Sequence, residues 1–314
     1  MKWEDTRRST NVEDRRDGGE DDGGSGGGMA SAFGGGGRLG IGALIIAAII
    51  SYFTGINFNT ILGIEGMFTG GGGSGYTQSA PQVQSQQAGA TQGQGATQAG
   101  PKDQMGDFVA AILGETEDVW GKVLPEQKNI RYTQPKLVLF SGQTRSACGR
   151  AESAMGPFYC PEDQKVYLDM SFFNDMRSKF GGGGDFAYAY VVAHEIGHHV
   201  ENLLGILPKV QQAQQNATSQ TESNGLSVRV ELMADCLAGV WAANANKQWQ
   251  ILQPGDVEKA LATAQAIGDD RLQQASRGRA VPDSFTHGSS AQRQQWLQTG
   301  LQTGQVDSCN TFKR

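Results

Sequence analysis

Residues 194–198 read His194-Glu195-Ile196-Gly197-His198, and two of the chain's four histidines stand in that block. Residues four apart share one face of a helix. The two imidazoles can therefore present ring nitrogens to a single zinc ion, while Glu195 beside them can take a proton from water polarised by the metal. That chemistry suits hydrolysis at a carbonyl carbon, with the metal and a nearby donor stabilising the oxyanion that forms.

A catalytic zinc usually has three protein ligands and one open position, so the chain must supply a third. Cys160, Cys236, His287 and the acidic residues are all candidates. Glu231 is the strongest, because it opens Glu231-Leu-Met-Ala-Asp235 within an apolar stretch that continues through Leu237 to Trp241. Carboxylates are rarely placed in such surroundings unless they are paired or bound to metal. A salt-bridged surface stripe has the same spacing, but these flanks are too apolar for one. Glu231 is expected to bind zinc, and Asp235, one turn on, to accept the free ring N–H of a ligand histidine and fix its tautomer. His199 points about 100° away from His198 around a helix and is expected to make a structural hydrogen bond. His287, in the turn Phe285-Thr-His-Gly-Ser-Ser290, is a candidate oxyanion donor. A structural role in capping the local backbone is the other reading of His287, and Tyr167, Tyr188 and Tyr190 are alternative donors.

The elements that must position these residues follow from apolar spacing and caps. Helices are expected over 107–123, 171–177, 186–204, 226–245 and 256–273, with a last one capped by Ser289 or Ser290 and running to Gln298. Residues 209–222 read as an excursion from the core with some helix in it. Lys136–Ser141 and Lys165–Asp169 read as strands. Val166–Asp169 lies ahead of the active-site helix and is a candidate edge strand for pairing with an extended peptide, the plainer reading being a core strand. Helices outnumber strands, so the fold class is α+β and helix-dominated, with a small sheet.

Glycine numbers 45 of 314 residues, roughly double the usual share of about 7%. The excess is concentrated in residues 18–100 and in Gly181–Gly184. Without the first hundred residues the composition is that of one ordinary globular domain with a sizeable core. Net charge is −6, which excludes the basic field of a nucleic-acid binder. Phe180-Gly-Gly-Gly-Gly-Asp185 lacks the Gly-Lys-Ser/Thr of a phosphate loop.

Leu39–Ile56 is uncharged and apolar over eighteen residues, near the lower limit for a helix in contact with membrane lipid on all sides. Lys2, Arg7, Arg8, Arg15, Arg16 and Arg38 precede it, and residues 57–101 carry no Lys or Arg. By the bias of Lys and Arg, the N-terminus is expected in the cytoplasm and the rest outside. The organisation is then a disordered cytoplasmic tail over 1–38, a transmembrane helix over 39–56, a flexible Gly/Gln-rich tether over 57–101 and a zinc domain over 102–314.

Four cysteines allow three pairings. Cys148 and Cys160 are nearest in sequence, which leaves Cys236 with Cys309, and two disulfides suit an oxidising compartment. A thiolate zinc site is the weaker reading, since no C-x-x-C pair is present.

The segments NVEDRR at 11–16, ACGRAESAMGPFYCPEDQKVYLD at 147–169, VVAHEIGHHVENLLGI at 191–206, RVELMADCLAGVWA at 229–242 and FTHGSSAQRQQWLQTG at 285–300 resemble the bacterial membrane-anchored neutral zinc metallopeptidase family. The HEIGH block followed by an E-x-x-x-D helix also resembles the thermolysin-type zincins. The resemblance implies a zincin-like fold, with zinc held by His194, His198 and Glu231. It implies Glu195 as the catalytic glutamate, Asp235 as the histidine-orienting carboxylate, and a peptide or protein substrate. Taken with the Lys/Arg bias, it places the enzyme in the bacterial inner membrane with its catalytic domain periplasmic or extracellular. The gap from His198 to Glu231 is longer than in thermolysin. Two other functions fit the same residues: a zinc amidase acting on cell-wall peptides, and a non-enzymatic module that retains the fold.

Overall fold

The computed structural model describes residues 1–16, 103–179 and 183–313. The apolar run 39–56, the tether, residues 17–38 and part of the glycine run lie outside the described residues. Among the described residues, no helix is long and apolar enough to cross a membrane.

A four-stranded sheet has the order β1 (Val12–Asp14), β2 (Lys136–Phe140), β6 (Lys165–Asp169), β5 (Phe158–Cys160). β1, β2 and β6 run parallel, with Val12 opposite Leu137 and Leu137 opposite Val166, and β5 runs antiparallel to β6. A separate hairpin joins β3 (Gln143–Ser146) and β4 (Gly149–Glu152). Alternate residues of a strand face opposite ways. Leu137, Leu139, Val166 and Leu168 accordingly enter the main core, while Val138, Phe140 and Tyr167 pack with Met155 and Phe158 on the other face.

The helices are α1 (Gln104–Lys128), α2 (Ser171–Lys179), α3 (Asp185–Leu203), α4 (Ile206–Gln215), α5 (Gln220–Trp249), α6 (Asp256–Ala266), α7 (Asp269–Arg277) and α8 (Ser290–Thr303). Asp103 caps α1 by accepting from the Gly106 N–H at 2.7 Å, and Ser289 caps α8 through a reciprocal pair with Gln292. α5 and α8 lie backbone to backbone: a Cβ on Gly300 would sit 1.9 Å from the Cys236 carbonyl oxygen, and one on Gly239 2.3 Å from that of Leu297. Both expected disulfides are formed, Cys148–Cys160 and Cys236–Cys309. The second ties the C-terminal turn to α5.

Four expectations change. The single helix over 256–273 is two, α6 and α7, because the chain passes Ser290 at Gly268, where a Cβ would lie 2.3 Å from the Ser290 nitrogen. Residues 209–222 are mostly helical rather than an excursion, since Leu207 and Val210 bury one side of α4. Val166–Asp169 cannot be the edge strand, because β6 is paired on both sides, and β5 holds that edge. Residues 1–16 are not a disordered tail. They form β1 and an arm that lies across α1 and touches the starts of α3 and α6.

The arm explains why α1 is buried on nearly all sides from Gly106 to Glu117. Beneath it, neither buried carboxylate oxygen of Glu115 has a hydrogen-bond partner, and the nearby Thr6 hydroxyl donates instead to the Trp3 carbonyl at 2.7 Å. Burial pushes the Glu115 carboxyl up from an ordinary 4.5 to about 7. The folded chain thus holds this proton to a higher pH than the unfolded chain. The contribution of Glu115 to stability falls as pH rises from about 4.5 to about 7, and the loss is complete above that window. Denaturant midpoints of Glu115→Gln are expected to be flatter with pH than the parent's between those limits; an unchanged profile would assign the pH dependence to other groups.

Candidate metal centre

His194 and His198 project from the middle of α3, and Glu231 from α5, the helix packed against it. The two helices approach closely at Gly197, where a Cβ would lie 3.0 Å from the Ala234 carbonyl oxygen. That contact brings the Glu231 carboxylate against both imidazoles, 3.3 Å from His194 Nε2 and 3.5 Å from His198 Nε2. The side chains of all three residues are buried. Ligand atoms about 2.0–2.1 Å from a tetrahedral ion lie about 3.3–3.4 Å apart, and the two nitrogen–oxygen spacings, one to each oxygen of the carboxylate, are close to that.

Hydrogen bonds at the outer ring nitrogens give the site its chemistry. His194 Nδ1 lies 2.9 Å from Asp235 Oδ1, and His198 Nδ1 lies 2.9 Å from Glu201 Oε2. A carboxylate there takes the N–H, which leaves each Nε2 as a lone pair turned inward. Two lone pairs then face a third acceptor, and Glu231 Oε1 has no hydrogen-bond partner. Acceptors cannot satisfy one another, so the cluster calls for a cation between them: a metal or added protons. Without a metal, protons are the alternative. Burial would lower the His194 pKa, but Asp235 and Glu231 raise it to about 9. Burial would raise that of Glu231, yet His287, His194 and His198 hold it well below its ordinary range. Two imidazoles and a carboxylate are a donor set that suits zinc.

Asp235 is itself held from several sides. Arg293 of α8 donates to it twice, Nε to Oδ2 at 2.8 Å and Nη2 to Oδ1 at 2.9 Å, and the Tyr190 hydroxyl donates to Oδ1 at 2.5 Å. Burial would raise the Asp235 pKa, but Arg293 and His194 bring it down to about 2. It therefore remains an acceptor for His194 throughout the working pH range.

Glu195 is 7% exposed, and burial raises its carboxyl above the ordinary glutamate range against the pull of His194 and His198. His287 reaches the same cluster and acts electrostatically on Glu231. Its Nδ1 lies 3.2 Å from Asp269 Oδ1, while its Nε2 is buried without a partner. Asp269 Oδ2 also accepts the backbone N–H groups of Thr286, His287 and Gly288 at 2.7, 2.6 and 3.1 Å, which fixes the turn.

The other singled-out side chains fall elsewhere. His199 bonds the Tyr159 hydroxyl at 3.0 Å and the Thr133 carbonyl at 2.6 Å, as a structural histidine does. Tyr167 donates to Asp163 at 2.7 Å and Tyr188 packs on Phe173. Cys160, Cys236 and the other two cysteines are in disulfides, which removes any thiolate ligand. Sequence reasoning missed Glu201, Asp269 and Arg293. Arg293 carried the same signal as Glu231, a charged residue in line with buried Leu297 and Gly300 on one helix face. Glu201 sits one turn beyond His198. Nothing local marks Asp269, whose role depends on a turn eighteen residues on.

The chain matches the family described as "Putative neutral zinc metallopeptidase" over residues 1–312, a range that includes the arm as well as His194, His198 and Glu231. It is similar to an Escherichia coli (strain K12) protein named "Uncharacterized protein YpfJ", 48% identical over 312 residues and covering 99% of each chain. A Mycobacterium tuberculosis (strain H37Rv) protein, also named as uncharacterized, is 48% identical over 214 residues, 65% of this chain and 69% of its own. No solved structure matches the chain significantly.

Zinc binding should stabilise the fold by about 2.7 kcal/mol at free zinc a hundredfold above the dissociation constant. Thermal unfolding with and without zinc is expected to show this gain in the parent and to lose it in Glu231→Ala. An equal gain in both would remove Glu231 from the ligand set.

Proposed function

The chain belongs to the neutral zinc metallopeptidase family, and from that premise we propose that it is a membrane-anchored zinc endopeptidase that cuts peptide bonds with Glu195 as general base. The observation that carries this reading is the convergence of His194 Nε2, His198 Nε2 and the Glu231 carboxylate on one buried point, with Glu195 adjoining the first ligand on α3.

Zinc bound there supplies Lewis acidity, which lowers the pKa of water toward 7 and polarises the scissile carbonyl. The protein's own groups do the rest. Burial raises the affinity of Glu195 for a proton, so its carboxylate accepts one from the attacking water and, as the acid it then is, delivers it to the leaving amine nitrogen. Burial would lower the His287 pKa, but Asp269 and Glu231 raise it. As an imidazolium, with Nδ1–H given to Asp269 and Nε2–H free, it donates from Nε2 to the oxygen that gains charge when the carbonyl carbon becomes tetrahedral. Asp235 and Glu201 keep the Nε2 lone pairs of His194 and His198 turned inward. Tyr159 of the edge strand β5 bonds His199 of α3, which links the sheet to the helix carrying the site.

The two disulfides support an outward-facing catalytic domain in an oxidising compartment. The apolar run 39–56 supports contact with the bacterial inner membrane from the side on which the catalytic domain lies.

Cleavage of a peptide library that includes cell-wall peptides tests the reading. Glu195→Gln is expected to lower kcat by about 10²–10⁴ while keeping the parent's zinc content. An unchanged kcat would sink the general-base role. His287→Ala should lower kcat by about 10²–10³ with zinc retained, and a loss confined to zinc content would show instead that it serves the metal.

A further inference from the structure

Residues 1–16 are built into the catalytic domain. β1 continues the sheet in parallel register with β2 from Val12 to Asp14. Met1, Trp3 and Val12 are buried in the same apolar core as Trp120 and Val192. Trp3 Nε1 donates to Asp185 Oδ2 at 3.1 Å, at the first residue of the helix that carries His194 and His198. The arm's backbone runs so close over α1 that a Cβ on Gly114 would lie 2.5 Å from the Arg7 carbonyl oxygen.

Arginines in this segment made it look like the cytoplasmic flank of a membrane span. Each has a carboxylate partner within the folded protein. Arg7 pairs with Glu117 at 2.7 Å and Asp118 at 2.8 Å, and Arg8 with Asp107 at 2.8 Å. Arg15 pairs with Glu13 at 2.8 Å, and Glu13 in turn meets Lys136 of β2 at 3.0 Å and Lys165 of β6 at 3.1 Å. Arg16 pairs with Asp14 at 2.6 Å and also with Asp103, the cap of α1. These charges are accounted for by folding, so the Lys/Arg bias they create is not independent evidence about a membrane.

The Arg16–Asp103 pair has a further consequence. Residues 16 and 103, which flank the residues outside the described structure, are thereby held side by side. A single crossing of a bilayer between those points would separate them by a hydrocarbon layer about 30 Å thick. β1, the burial of Trp3 and the arginine pairs would all be lost. Leu39–Ile56 is the one uncharged apolar run of spanning length between the two ends, so the sequence offers no second crossing to bring them back. We infer that residues 1–16 and residues 103–313 occupy the same compartment, and that the apolar run 39–56 is not a single-pass span dividing them. This replaces the orientation drawn from Lys and Arg placement, in which the N-terminus and the catalytic domain face opposite sides.

The test uses the full-length protein in intact bacterial cells. Asp5 on the arm and Gln298 on α8 are both exposed, and the native cysteines are in disulfides. Asp5→Cys and Gln298→Cys would each be treated with a membrane-impermeant maleimide before and after permeabilisation, in variants that keep the parent's thermal transition. The two positions are expected to behave alike, labelled to the same extent at each stage. If one is labelled in intact cells and the other only after permeabilisation, the inference is overturned.

Discussion

Three buried acceptor groups that face one another set the terms for the rest of this protein. Two imidazole lone pairs and a carboxylate, 3.3 and 3.5 Å apart, are destabilising neighbours unless a cation lies between them. Deep burial makes the need more acute, because water cannot substitute for the missing positive charge. Asp235 and Glu201 increase it further by taking the outer ring protons of both histidines. The surrounding structure can be understood as what keeps this unfavourable arrangement in place.

That support comes from helices packed closer than side chains normally allow. Gly197 lets α3 meet α5, and Gly239 with Gly300 lets α5 meet α8. The last contact delivers Arg293 to Asp235, so the orientation of His194 depends on a guanidinium from a third helix. The Cys236–Cys309 bridge starts one residue beyond Asp235 and fastens the C-terminal turn to the same stretch of α5. On the far side, Trp3 of the arm holds the start of α3 through Asp185. Candidate ligands, disulfide, buried arginine and N-terminal arm thus form one connected structure.

The gathering of His194, His198 and Glu231 was legible in the sequence because its signals are local. His194 and His198 are one turn apart, and Glu231 and Asp235 are charged residues in an apolar helix. The disulfides followed from spacing. Less of the fold could be read. β1 is three residues, Val-Glu-Asp, between Ser-Thr-Asn and two arginines, without the alternation that marks a strand, and its pairing partner lies beyond the whole of α1. Its arginines carry the same information as a membrane flank until their carboxylate partners are known. The break between α6 and α7 depends on the approach of Ser290 to Gly268, and the place of β6 inside the sheet depends on β5, whose three apolar residues show no period. Each of these is set by a partner distant in sequence.

The central claim is that His194, His198 and Glu231 hold zinc through two nitrogens and carboxylate oxygen. X-ray absorption at the zinc edge of the purified full-length protein tests it most directly. A shell of nitrogen and oxygen neighbours at about 2.0–2.2 Å is expected, with imidazole scattering and no sulfur at about 2.3 Å. A sulfur shell, or protein that takes up no zinc at all, would contradict it.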